Sequence, residues 1–175
     1  MFLIMGVLSA LYERNQSGKG QVVDAAMIEG VPAMMGLVQQ MFAQGNWQQQ
    51  RESNMLDGGA PYYRCYRTQD NKAISVGAIE PQFFKVFVEL AGLPESDLKI
   101  QNDQSQWPAM RERYAEHFRT RTRDEWQAIF DGSDACVAPV LNFEEAALHP
   151  HNLHRKTFIT PDGIQQTKPV PVFSQ

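Results

Sequence analysis

The opening run MFLIMGVLSAL constrains this chain more than any other feature. It is apolar nearly throughout, and a helix that is apolar on all sides must be covered on all sides. The run is too short to span a bilayer. No basic segment precedes it and no good cleavage motif follows, so it does not read as a signal peptide. Nothing earlier in the sequence could help to cover it. The expectation is therefore that Met1 is an internal residue of a longer chain. The far end reads the same way, because PVPVFSQ stops in an extended segment with no closing element.

The first helix is expected to run to about Asn15, with Gly18 or Gly20 as its terminator. Residues 21–25 read as a short strand. Met27, Val31, Met34, Val38 and Met41 then recur at helical spacing, with Ile28, Met35 and Phe42 beside them. Pro32 should kink or restart that helix. The polar, glycine-containing stretch QQQRESNMLDGGAP connects this part to the next. Residues 62–67 and 73–78 read as two strands joined by a turn at Gln69, Asp70 and Asn71. A helix follows from Pro81 to Gly92 and buries Phe83, Phe84, Phe87 and Leu90. Another covers 107–118, with Trp107, Met110 and Tyr114 inward. A third opens on Thr122 and Glu125 in capping-box spacing and stops at Gly132. Residues 137–141 form a short strand. Asn142 and Glu145 start a brief helix that ends before Pro150, and an extended, proline-punctuated stretch closes the chain.

Bulk composition excludes several classes. The 175 residues are 43% hydrophobic and 21% charged, with a net charge of −4. That is ordinary globular composition, with no basic field to attract nucleic acid and no span for a membrane. Arg119, Arg121 and Arg123 form a short basic cluster, but Glu116, Asp124 and Glu125 dilute it into a solvated helix end. Cys65 and Cys136 make no CxxC pair, so a thiolate zinc site is excluded. A single long-range disulfide has no support in the pattern, and a reducing, cytoplasmic setting is the default.

The candidate sites divide between chemical and structural readings. Ser17, Gly18, Lys19 and Gly20 contain a GK pair, but Glu13 and Gly20 stand where a phosphate-binding loop needs Gly and Ser or Thr. A helix-terminating turn is the better reading. His149, His151 and His154 form HxHxxH, which could ligate a metal. Pro150 and Asn152 mark it instead as a capped loop, and no metal is expected. Cys65 reads as a packing residue. The loop Asn54, Met55, Leu56, Asp57, Gly58, Gly59, Ala60, Pro61 is the most unusual segment. Its glycines allow close ligand approach or loop motion, and DG is also a common turn dipeptide. Glu80 stands where a strand ends and a helix begins, with Pro81 suited to the first helical position. A carboxylate there gains from the helix dipole, which is a complete structural explanation on its own.

Five segments, SGKGQVVDAAM, NMLDGGAPYY, VGAIEPQF, DACVAPVL and HPHN, occur in one order along the chain. Together they resemble the 2-methylacyl-CoA racemase branch of the family III CoA-transferases. The similarity covers essentially the whole chain. SGKGQVVDAAM is shared broadly across the superfamily, whereas NMLDGGAP and GAIEPQF are specific to the racemase branch.

The resemblance implies an α/β fold: the remnant of a Rossmann-like large domain plus a small α+β domain. It implies residues 1–50 as large-domain helices, 51–160 as the small domain and 161–175 as the start of a return to the large domain. It also implies interlocked homodimers, with each active site between the large domain of one subunit and the small domain of the other. A histidine and an aspartate would exchange the proton next to the thioester carbonyl, with no metal or flavin. Both would belong to segments upstream of Met1, which leaves this chain without its acid and base. Gly58 and Gly59 match the family's mobile glycine loop over the site. Glu80 matches an acid placed near the catalytic pair, and the resemblance turns its reading from structural to functional. Met55, Asp57 and Tyr63 are the further candidates for contact with acyl-CoA.

The expected activity is thus that of a fragment of an acyl-CoA racemase. The alternatives are CoA transfer between carboxylic acids and a degenerate chain kept as an assembly module. The isolated chain is expected to be inactive and to associate or precipitate through its uncovered apolar helices.

Overall fold

The computed structural model describes residues 1–173; Ser174 and Gln175, the end of the expected extended tail, lie outside the described residues. Helices and short antiparallel sheets alternate along it, and the chain divides into two units between Asn54 and Met55.

The first unit holds α1 (Phe2–Ser17), α2 (Met27–Met34) and α3 (Gly36–Ala43). α1 ends where expected in kind: Gly18 takes the left-handed conformation at φ 71° and returns its amide to the carbonyl of Arg14. Gly6 admits the close passage of the following segment. A Cβ built there would lie 2.6 Å from Cγ1 of Val23. The strand expected at 21–25 is not formed; those residues belong to no helix or strand. Their β propensity favours an extended backbone, but a strand exists only through a ladder with a neighbour. The expected break in the Met-rich helix falls at Met35 rather than at Pro32, which lies inside α2. Met35 donates its amide to the carbonyls of both Val31 and Pro32, so the turn tightens there before α3 begins.

No residue of α1, α2 or α3 is buried. Ile4 is 65% exposed and Met27 85%. The all-round cover that the apolar run calls for is therefore not supplied by this unit. The unit closes on a reciprocal pair: Asn54 accepts the Gln48 amide at 2.7 Å and donates to the Gln48 carbonyl at 2.9 Å.

The second unit carries the core. Strands β1 (Tyr63–Arg67), β2 (Ala73–Gly77) and β3 (Val137–Val140) form an antiparallel sheet in that order. Cys65 pairs with Ser75, and Ser75 with Ala138. Alternation then sends Tyr66, Ile74 and Val76 to one face, where they are buried. That face is covered by α5 (Trp107–Phe118) and α6 (Arg123–Phe130), and α4 (Pro81–Ala91) packs against α6 in the same core. Phe87 sits at the centre, with ring centroids about 6 Å from those of Phe84, Tyr114, Phe118 and Phe130. Phe83 is partly buried and packs against the core, whereas Leu90 is exposed, so one of the four expected inward residues of α4 lies off its core stripe.

Both capping boxes form as their spacing predicts. Thr122 caps α6 with Glu125, and Asn142 caps α7 (Phe143–Leu148) with Glu145. The HPHN segment is not a loop. It opens α8 (Pro150–Arg155), with Pro150 in the first turn, where a proline has no amide to waste. The tail also departs from the expectation: Phe158–Ile159 and Gln166–Thr167 pair as a small hairpin.

Candidate active site

The candidate residues come from three short segments at one end of the sheet. The glycine turn leads into β1, whose first residue, Tyr63, pairs with Gly77, the last of β2. Glu80 follows after Ala78 and Ile79, at the entrance to α4. Topology therefore brings the turn, Tyr63 and Glu80 together, although neither the turn nor Glu80 is part of a strand.

The resemblance implies a mobile loop here; in the structure the turn is tied to its surroundings by hydrogen bonds. Gly58 adopts φ 89°, a region that side chains with a Cβ rarely enter. Asp57 folds back, its Oδ1 accepting the Gly59 amide at 3.0 Å. Arg64 on β1 donates to the Gly58 carbonyl at 2.9 Å, and Arg111 on α5 donates to that of Gly59 at 3.1 Å. The Ala60 carbonyl accepts the Tyr63 amide, and the Pro61 carbonyl accepts the phenol of Tyr66 at 2.5 Å. Burial pushes the Tyr66 phenol well up from its ordinary value, against the lowering effect of Arg64 and Arg111. It therefore remains a donor at neutral pH. Met55 is half-buried and packs against the core, so only part of it could meet a ligand.

Glu80 is exposed and occupies the N-cap of α4, yet its side chain makes no capping hydrogen bond. Its backbone carbonyl takes the Phe84 amide at 2.9 Å. The buried Gln101 fixes the residue before it, donating from Nε2 to the Ile79 carbonyl at 2.8 Å. Trp107 in turn donates to the Gln101 carbonyl at 2.8 Å. Glu80 lies close enough to Cys136 to act on its thiol, which is pushed up first by burial and then by the charges of Glu80 and Asp134. Tyr63 projects from the sheet face opposite the helices, as do Cys65 and Ala138.

Cys65 is exposed, which corrects its reading as a packing residue; both cysteines are free thiols. His149 stands at the N-cap position of α8 without a side-chain capping hydrogen bond, while His151 and His154 are exposed. Among the described residues no group of three or more His, Cys, Asp or Glu side chains could hold a metal ion. None of the described helices is long and apolar enough to cross a membrane. Sequence reasoning missed Arg64, Arg111 and Gln101. Each acts on a backbone carbonyl, and the contacts of Arg111 and Gln101 span long stretches of chain, so no local motif marks them.

The family model for CoA-transferase family III matches residues 1–175. The chain belongs to that family. It is 46% identical over 95% of its length to alpha-methylacyl-CoA racemase of Mus musculus, and 44% identical to that of Homo sapiens. It spans 44% of the length of each of these relatives. The succinyl-CoA–D-citramalate CoA-transferase of Chloroflexus aurantiacus is more distant, at 28% identity over 90% of the chain. Among solved structures, Rv3272 of M. tuberculosis superposes over 97% of this chain with a TM-score of 0.72 at 15% identity. A CAIB/BAIF family protein from Brucella suis superposes over 98%, with a TM-score of 0.71. The α/β fold expected from the sequence is thus the fold of this family.

Proposed function

We propose that this chain is one half of a 2-methylacyl-CoA racemase and contributes the glycine turn, Tyr63 and Glu80 to its active site. The observation that carries this reading is the contrast in identity: 46% and 44% to two racemases, against 32% to a CaiB/baiF CoA-transferase family protein of Caenorhabditis elegans and 28% to the succinyl-CoA–D-citramalate CoA-transferase.

In this reading the substrate is an acyl-CoA thioester with a methyl branch at C2. The thioester acidifies the C2 proton, so a base can remove it to give an enolate and an acid can return it on the opposite face. Bonds are unchanged overall and only the configuration at C2 is exchanged. The histidine and aspartate that move the proton belong to segments outside this chain. Glu80 stands near them and orients or tunes the pair, while Gly58 and Gly59 let the thioester approach the backbone closely. Asp57, Met55 and Tyr63 border the acyl group. The working enzyme is an interlocked homodimer in the cytoplasm. The exposed apolar surface of α1, α2 and α3 supports this picture, because a surface of that kind in water needs a covering partner.

The test is deuterium incorporation at C2 of a 2-methylacyl-CoA in heavy water. A full-length chain, in which this segment replaces the matching stretch of the mouse relative, is expected to exchange. The 175-residue chain alone is expected not to. Exchange by that chain alone would overturn the placing of the acid and base. Transfer of CoA to a free carboxylate without C2 exchange would replace the racemase reading with a transferase.

A further inference from the structure

We infer that Arg64 and Arg111 are positioning residues that hold the glycine turn in a single conformation as a seat for the acyl-CoA thioester. The inference rests on the racemase reading of that turn.

The geometry is one of capture from behind. Arg64 lies on β1 between Tyr63 and Cys65, on the sheet face that the helices cover; its pairing partner is the buried Val76. Arg111 lies on α5, one turn before the buried Tyr114. The two guanidiniums reach consecutive carbonyls, those of Gly58 and Gly59, at 2.9 and 3.1 Å. Tyr66 completes the set on the Pro61 carbonyl, and its ring lies 5.7 Å from the Arg64 guanidinium. With the Ala60 carbonyl bonded to the Tyr63 amide, every carbonyl from Gly58 to Pro61 has a donor within the protein.

Two consequences make this more than packing. A pair of adjacent glycines loses more backbone entropy on ordering than any other dipeptide, so an untethered turn would be ordered only at the expense of ligand binding. Tethering it beforehand removes that loss. Carbonyl oxygens also repel a thioester oxygen that is becoming an enolate, and here all four are already engaged. Neither arginine needs to touch the substrate, because Tyr63 and the open face lie on the other side of the sheet.

The variants are Arg64→Met and Arg111→Met, singly and together, with Arg→Lys at each position as the conservative replacement. Methionine keeps the apolar stem and removes the donors, whereas lysine retains a charged donor. Amide hydrogen exchange over residues 57–62 is measured in the full-length chain carrying the segment. In the same chain, the Kd of a non-reactive 2-methylacyl-CoA thioether is measured by calorimetry, together with the melting temperature. The double methionine variant should exchange the turn amides about tenfold faster or more and bind the thioether about tenfold more weakly. Lysine should restore part of both, and the melting temperature should change little. Unchanged amide exchange would overturn the clamp. Faster exchange with unchanged Kd, or loss of binding only in step with a fallen melting temperature, would overturn the seat. Failure of the racemase reading is seen separately, as absence of C2 exchange in the unmutated full-length chain, while the other two measurements still decide the clamp.

Discussion

Arg123 of α6 donates from Nη1 to Oε2 of Glu145 at the start of α7, at 2.7 Å. The same guanidinium reaches the Val140 carbonyl at the end of β3, so one buried side chain ties α6, β3 and α7 together. Lys72 at the β1–β2 turn holds the other oxygen of Glu145 at 3.0 Å. The hydrogen bond from Arg123, then that from Lys72, then the Asn142 amide hold the Glu145 carboxyl at about 2, down from 4.5. A carboxyl whose folded value is depressed contributes stability above its unfolded value and loses it as pH falls toward the folded one. The Glu145 contribution should therefore be complete above about pH 4.5 and vanish as pH falls to about 2. Melting curves from pH 7 to pH 2 should show Glu145→Gln with a lower melting temperature at neutral pH and a shallower acid decline. Asp70 and Glu125 are also held low by hydrogen bonds, so part of the decline should survive. Parallel curves for the variant and the parent would refute the assignment.

Asp97 is 2% exposed and bound by two partners. Arg113 contacts both of its oxygens at 2.6 Å, and the Tyr114 phenol donates to Oδ2 at 2.8 Å. Asp97→Ala strands a buried phenol and removes the partner of Arg113, which can partly return to water. The expected cost is about 2–3 kcal/mol, read as a lowered urea midpoint at unchanged slope. Asp97→Asn keeps an acceptor for Tyr114 and should cost less. A loss below about 0.5 kcal/mol for the alanine variant would mean that the cluster is incidental.

The elements that sequence made legible are those whose signals are local. The 107–118 helix, both capping boxes and the Gly18 and Gly92 terminators follow from spacing and single-residue conformational preference. The strand expected at 21–25 failed because a strand depends on a neighbour that its own residues do not encode. HPHN failed as a loop because proline at a first helical turn and proline in a loop look alike without the following residues in place. At the site, Gly58 and Glu80 could be singled out by residue type and position. Arg64, Arg111 and Gln101 could not, since each meets a backbone carbonyl, a partner that carries no sequence signature. Leu90 shows a smaller limit of the same kind: helical period selects a face to within one residue, and its 38% exposure puts it at the edge.

Glu80 offers the sharpest separation of chemistry from structure. If it only favoured the dipole of α4, Glu80→Gln would cost about 0.3–1 kcal/mol of stability and leave turnover alone. The structure removes only the capping form of that alternative, because the carboxylate makes no hydrogen bond to the helix it precedes. Its position is instead fixed through the backbone, by Gln101 on the Ile79 carbonyl and by the Phe84 amide on its own. A side chain whose backbone is held while its carboxylate stays exposed is suited to meet a group from elsewhere in the enzyme. In the full-length chain bearing this segment, Glu80→Gln should, on the proposed reading, lower the C2 exchange rate about tenfold or more, equivalent to about 1.4 kcal/mol of barrier. The melting temperature should barely move. The pH profile should shift as well, because removing a carboxylate beside an acid–base pair lowers the proton affinity of that pair. Unchanged kinetics with a lowered melting temperature would return Glu80 to a purely structural role and leave the proposed site to the glycine turn and Tyr63.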